Sequence, residues 1–148
     1  MYFITNRLKH LNFVKNCNMS SFYVISSKLT LINVTFENNY DEESGAAIYA
    51  GGSNVTSTDT KFLNNYALYG SAIFSHSSNV TINNGLFKND NPVVWSLIRG
   101  SGSMFDISNT IFANTTSKYA TAIYNNGVTI IKKSKSTVSM KSLAKKRT

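Results

Sequence analysis

Four isoleucines, Ile48, Ile73, Ile98 and Ile123, stand at equal steps of 25 residues, and each closes a short segment of similar pattern. Those segments are Gly45-Ala46-Ala47-Ile48, Gly70-Ser71-Ala72-Ile73, Trp95-Ser96-Leu97-Ile98 and Ala120-Thr121-Ala122-Ile123. A second column keeps the same step. Phe36, Phe62, Phe87 and Phe112 are spaced by 26, 25 and 25 residues, and each is followed two positions later by asparagine: Asn38, Asn64, Asn89 and Asn114. A third short segment precedes each phenylalanine: Leu29-Thr30-Leu31, Val55-Thr56-Ser57, Val80-Thr81-Ile82 and Phe105-Asp106-Ile107. A worn copy lies upstream in Phe13-Val14-Lys15-Asn16 and Phe22-Tyr23-Val24-Ile25, and a partial one downstream in Val128-Thr129-Ile130-Ile131. Self-similarity at a fixed period of tens of residues marks a chain built from stacked supersecondary units.

The apolar segments are three to five residues long, rich in Val, Ile, Thr, Phe and Tyr, and bounded by Asn, Gly and Ser. That pattern predicts strands and turns and disfavours helix throughout. Successive coils of a solenoid must keep one repeat length, because a slip of one residue would misalign every column. The expectation is therefore an all-β parallel β-helix with about 25 residues per rung. It has four clear rungs and partial rungs at the ends. A leucine-rich repeat would need a leucine-dense signature, and a propeller blade about 40 to 45 residues. The chain divides into a degenerate rung over 1–28, repeats over 29–131 and a basic tail over 132–148.

In such a coil Phe36, Phe62, Phe87 and Phe112 stack at about 4.8 Å along the interior, each contributing on the order of 2 to 3 kcal/mol by burial. Asn38, Asn64, Asn89 and Asn114 fall where the chain leaves the strand. Asparagine tolerates the left-handed backbone region and can hydrogen-bond a stacked copy of itself, so these residues read as structural. Alternation would allow either Ile48 or Tyr49 to point inward. Arg99 shares the Tyr49 column, and burying an unpaired guanidinium is costly, so the isoleucines go inside. Tyr49, Phe74, Arg99 and Tyr124 then form an outward stripe, with Leu97 expected to be exposed beside it.

Composition narrows the function. The single cysteine, Cys17, excludes an internal disulfide framework and a Cys-rich metal site. It reads as a small buried residue rather than a nucleophile. Of the net charge of +8, seven units come from Lys132, Lys133, Lys135, Lys141, Lys145, Lys146 and Arg147, leaving residues 1–131 at +1. A basic nucleic-acid groove across the fold is therefore disfavoured, and the tail reads as a solvated, disordered end. A basic nucleic-acid-binding or envelope-binding module acting through that tail is a further alternative. No continuous apolar run suits a signal peptide, and none approaches the roughly 20 residues of a membrane helix.

Catalytic chemistry finds little support. Glu37, Asp41, Glu42 and Glu43 crowd into one stretch, read as a solvated loop in preference to a weak calcium site, while Asp59, Asp90 and Asp106 lie at three different phases of the repeat. His10 and His76 also differ in phase, with no column of acids beside them. No catalytic, metal-binding or cofactor-binding residue is assigned, and no cofactor is expected. The better candidates for binding are the aromatics of the outward stripe, Tyr49, Phe74 and Tyr124, with Tyr40, Tyr66, Tyr69, Trp95 and Tyr119 in adjoining loops. They could stack on sugar rings, dock a protein, or simply cover rung edges. Glycosylation sequons occur at Asn18, Asn33, Asn54, Asn79 and Asn114, the last doubling as a ladder position.

The paired motifs carry a resemblance: Gly-Gly-Ala-Ile, met here without the double glycine as Gly-x-Ala-Ile at Gly45 to Ile48 and Gly70 to Ile73, and Phe-x-x-Asn at Phe13/Asn16, Phe36/Asn39 and Phe62/Asn65. Over residues 29–127 the chain resembles the polymorphic outer-membrane protein repeats of autotransporter-like surface proteins and the adhesin-like proteins of methanogenic archaea. Asp90 and Thr115 replace the final Asn in the later copies, and Trp95 takes the glycine position in the third. The resemblance implies a right-handed β-helix in a non-enzymatic adhesive stalk or passenger at the cell surface or secreted. Its partners would be glycans or proteins of a host or neighbouring cell, together with further rungs of a longer parent chain of which this is a segment. The alternative is a fragment of a β-helix polysaccharide lyase or hydrolase.

Overall fold

The computed structural model describes residues 5–14, 20–90, 93–119 and 122–137. Among these the chain is all strand and turn, wound as a parallel β-solenoid of three sheets. The first sheet, A, stacks β1 (Thr5–Lys9), β4 (Lys28–Ile32), β7 (Asn54–Thr58), β10 (Asn79–Asn83), β13 (Met104–Ser108) and β16 (Val128–Lys132). Sheet B stacks β2 (Asn12–Val14), β5 (Thr35–Glu37), β8 (Lys61–Leu63), β11 (Leu86–Lys88), β14 (Ile111–Ala113) and β17 (Lys135–Thr137). Sheet C stacks β3 (Phe22–Ile25), β6 (Ile48–Gly51), β9 (Ile73–His76), β12 (Ile98–Ser101) and β15 (Ile123–Asn125). Each coil visits C, A and B in turn.

The columns predicted from sequence are the pairing register. Phe36, Phe62, Phe87 and Phe112 are successive Cα partners, as are Ile48, Ile73, Ile98 and Ile123. The phenyl rings stack face to face with centroids 5.3, 4.5 and 5.1 Å apart, and Phe22 meets Phe36 edge-on. Ile48, Ile73 and Ile98 are fully buried, and so are Leu29, Leu31, Val80, Ile82, Phe105 and Ile107 of sheet A. Apolar area removed from water is what holds so short a set of strands together.

Corners are made by residues that accept a left-handed backbone. Asn33, Asp59, Asn84 and Asn109 follow the sheet A strands with φ of 51°, 52°, 54° and 49°. Ser26, Gly52, Ser77 and Gly102 turn the chain from C to A in the same way. Short polar side chains at these corners form continuous ladders that the sequence reading did not anticipate. Ser53 Oγ accepts from Ser27 N, Ser78 Oγ from Ser53 N and Ser103 Oγ from Ser78 N, at 3.1, 3.0 and 3.2 Å. Thr110 Oγ1 accepts from Gly85 N at 3.2 Å, and Ser134 Oγ from Thr110 N at 3.2 Å. Buried amides with no sheet partner at a bend are satisfied in this way.

The structure corrects the expected asparagine column. Asn38, Asn64 and Asn114 do occupy left-handed turns, with φ of 55°, 51° and 50°. The interior ladder, however, is the neighbouring set Asn39, Asn65 and Asn89. Asn65 Oδ1 accepts from Asn39 N and Nδ2, and Asn65 Nδ2 donates to Phe36 O. Asn89 Nδ2 donates to Asn65 O at 2.7 Å. The third rung lacks a left-handed turn at Asn89, so that residue points inward and Asp90 is left outside, its amide donating to Asn64 Oδ1 at 2.9 Å. The buried site is filled by the final residue of the motif at Asn39, Asn65 and Thr115, and by Asn89 in the third copy. Asn114, read as a ladder residue, is exposed.

Two further expectations change. Leu97 is only 1% exposed. Leu97 O accepts from both Ala72 N and Ile73 N, and Ala72 O likewise from Ala47 N and Ile48 N. The backbone bends at that shared carbonyl, so Leu97 and Ile98 both face inward where simple alternation would have put one of them outside. The coil also continues past the boundary at residue 131, since Lys132 ends β16 and β17 pairs with β14. Residues 138–148 of the basic tail lie outside the described residues.

Candidate ligand-binding face

The outer surface of sheet C carries the predicted stripe, and the register brings it together: Tyr49 pairs with Phe74, Phe74 with Arg99, and Arg99 with Tyr124. Tyr23 extends it by one rung at the other end. Tyr23 and Tyr49 stack at 4.6 Å, and Tyr49 and Phe74 at 5.3 Å. Burial, then the charge and the side-chain hydrogen bond of Tyr23, raise the Tyr49 phenol above its ordinary value of 10.0. Tyr23 was missed in the stripe although Phe22-Tyr23 repeats the apolar-then-aromatic order of Ile48-Tyr49 and Ile73-Phe74.

The loop aromatics separate into two groups. Tyr40 and Tyr66 stack on each other at 5.5 Å, apart from the stripe. Trp95 stacks on Tyr119 at 4.3 Å, lies 5.9 Å from Tyr69 and meets Tyr124 edge-on. This second ladder runs alongside the stripe, and the two meet at Arg99. The Arg99 guanidinium carbon lies 4.4, 4.9 and 5.0 Å from the ring centres of Tyr69, Trp95 and Tyr124.

The acidic stretch makes the wall of this face. Asp41 Oδ1 accepts from Glu43 N and Ser44 N, both at 2.8 Å, folding residues 41–44 into a tight turn. Ser20 Oγ donates to Ser44 O, and Tyr69 N to Glu43 O, tying the turn to the rungs on either side. The glycines of the Gly-x-Ala-Ile motif set the approach. Gly45 and Gly70 have φ of +64° and +59°, and a Cβ on either would strike the carbonyl of the isoleucine three residues later. Two shallow clefts result. One, of about 260 Å³, is lined by Ser20, Tyr23, Asp41, Glu43, Ser44 and Tyr49. The other, of about 550 Å³, is bounded by Glu43 and Ser44 with Leu68, Tyr69, Phe74, Arg99 and Ser101. Glu43 and Ser44 border both, so the clefts follow one another along the aromatic floor.

The remaining titratable groups are dispersed. Asp59 takes a hydrogen bond from Asn84 at a corner, Asp90 pairs with Lys88, and Asp106 pairs with Lys132 on sheet A. His10 Nδ1 lies 2.9 Å from Asn33 Nδ2 at a corner after sheet A, and His76 ends a sheet C strand. Among the described residues no three His, Cys, Asp or Glu side chains approach closely enough to hold a metal ion. Cys17 and the Asn18 sequon lie outside the described residues. Asn33, Asn54 and Asn79 are exposed, with Asn79 Nδ2 donating to Asn54 Oδ1 one rung away. No helix is long and apolar enough to cross a membrane among the described residues.

Chemically, the sheet C face offers a run of stacked rings for the C–H faces of a ligand, hydroxyl and carboxylate acceptors along one wall, and a cation between Phe74 and Tyr124. Compared with protein-family models, curated proteins and solved structures, the chain matches none.

Proposed function

We propose that this chain is a segment of a non-enzymatic, adhesin-like protein of the cell surface that binds glycans along the outer face of sheet C. The observation that carries the reading is the stacked series Tyr23, Tyr49 and Phe74 on the outside of a coil whose interior is already filled by its own phenylalanine ladder. The outer rings are not needed to complete the core. A half-exposed aromatic run costs hydrophobic exposure and is suited to stacking against the apolar faces of sugar rings. In the parent protein, further rungs stacked on this segment lengthen the face, and export places it outside the cell.

Binding of the 148-residue chain to a broad glycan array, alongside Tyr49→Ala and Phe74→Ala, tests the proposal. Retained oligosaccharides for the parent sequence, lost in both variants, support it. Equal capture by all three chains overturns the face assignment. Release of shortened or unsaturated oligosaccharides, with or without calcium, overturns the non-enzymatic reading.

A further inference from the structure

Arg99 interrupts an otherwise aromatic column, and its surroundings hold the cation without neutralising it. Three rings approach the guanidinium within about cation–π range. No carboxylate lies within ion-pair distance of Arg99 among the described residues, where the ion pairs are Lys88–Asp90 and Lys132–Asp106. Its Nη1 is sealed from solvent and finds no acceptor. The guanidinium thus keeps its charge without a protein acceptor, with Nη1 shut beneath the rings and only its other nitrogens open to a ligand. Arg99 lines the larger cleft together with Glu43, Ser44 and Ser101.

We infer that Arg99 is the recognition point for the carboxylate of a uronic-acid residue in the bound glycan, a specificity that rests on the reading of the sheet C face as a glycan surface. A carboxylate matches the Nε–Nη2 edge of the guanidinium in plane and spacing and supplies the missing negative charge. Phe74, Tyr69 and Leu68 take the apolar face of the same sugar, and Ser44, Ser101 and Glu43 take its hydroxyls. Glu43 also sets an upper limit on charge. It borders the same cleft, so a densely sulfated chain would bring several anions against a fixed carboxylate, whereas a sugar with one carboxylate places its charge at Arg99 and its hydroxyl donors toward Glu43.

The test uses an array of uronic-acid oligosaccharides of the galacturonate, glucuronate and mannuronate series, each beside its carboxyl-reduced neutral counterpart, with a heavily sulfated oligosaccharide as a third arm. The intact chain is expected to prefer the acidic member of at least one pair by about tenfold or more. In Arg99→Tyr, which restores the aromatic column and so favours folding, that ratio falls toward one. Arg99→Lys, with its charge kept but its fork lost, gives an intermediate ratio. Lys61→Gln, which removes an exposed cation from sheet B, leaves the ratio in place and separates local recognition from net charge. Equal binding of acidic and neutral partners to the parent chain overturns this inference while the glycan face stands. An unchanged ratio in Arg99→Tyr overturns the role of Arg99, and strongest binding of the sulfated arm overturns the commitment to a carboxylate. Absence of binding to every member removes the glycan face together with the inference.

Discussion

The molecule contains two aromatic ladders of nearly the same geometry, one facing inward from sheet B and one facing outward from sheet C. Inside, Phe36 to Phe112 stack at 4.5 to 5.3 Å; outside, Tyr23, Tyr49 and Phe74 stack at 4.6 and 5.3 Å. Register alone produces both, since any side chain repeated at the rung spacing is brought over its copy. What differs is the medium. The inner rings are closed off from water, so each is held by packing on all sides and answers for the fold. The outer rings keep one side free, so the same stacking adds little to stability and leaves an apolar edge available to a partner. A ladder is thus a product of periodicity, and the face on which it lies decides whether it serves as core or stays open to solvent.

Substitutions can break that contrast in measurable order. Phe62→Ala removes a ring sandwiched between Phe36 and Phe87 and is expected to cost about 3 to 5 kcal/mol in urea unfolding; a loss no larger than that of an outer ring would mean the two ladders are energetically alike. Asn65→Leu leaves Asn39 N and Phe36 O without their interior partner, and the expected penalty is about 1 to 3 kcal/mol. Asn64→Leu is no control for it, because Asn64 holds a left-handed turn. Tyr49→Ala should cost stability only about 1 kcal/mol, yet weaken glycan binding by about tenfold. Comparable losses in both assays for Phe62→Ala and Tyr49→Ala would erase the distinction between core and surface.

The smallest expected effect concerns pH. Folding raises the Tyr49 phenol above 10.0, so the unfolded chain releases that proton first as alkali is added. The associated stability is fully present below pH 10.0 and is lost as pH rises through the folded value. Absorbance titration should show one late-ionising phenol that Tyr49→Phe removes. A titration unchanged by that substitution would place the late phenol elsewhere.

The sequence disclosed the coil because its columns are occupied by large, identical residues. Phe36, Phe62, Phe87 and Phe112, or Ile48, Ile73, Ile98 and Ile123, are distinctive enough for their spacing to be seen and to fix which residues pair. The serine ladder through Ser53, Ser78 and Ser103 keeps the same period but is hidden in a chain with 20 serines. The doublets Asn38-Asn39 and Asn64-Asn65 could not reveal which member turns the backbone and which enters the core, because one residue type suits both places. Leu97 was misplaced for a different reason. Alternation describes a straight strand, whereas here the strand begins in a bend with two amides on one carbonyl.

The candidate binding face was legible in its residues and not in its walls. Tyr49, Phe74, Arg99 and Tyr124 share a column that follows from the repeat, and alternation from the buried isoleucines sets their outward direction, although Nη1 of Arg99 is itself sealed and unpaired. The clefts depend on the fold of residues 41–44 around Asp41 and on the meeting of the Trp95 ladder with Arg99. Those are contacts between irregular loops of neighbouring rungs, which no periodicity specifies.

The uniform pitch of the winding has a quantitative corollary. Duplicating one unit of this design raises the wall by about 4.8 Å and can add a ring to the hidden ladder and the displayed one in the same event. Under the proposed glycan-binding role, copy number then becomes a ruler for the span of polymer that can be gripped. Weak single contacts multiply into avidity along the axis, with no new kind of site having to be invented.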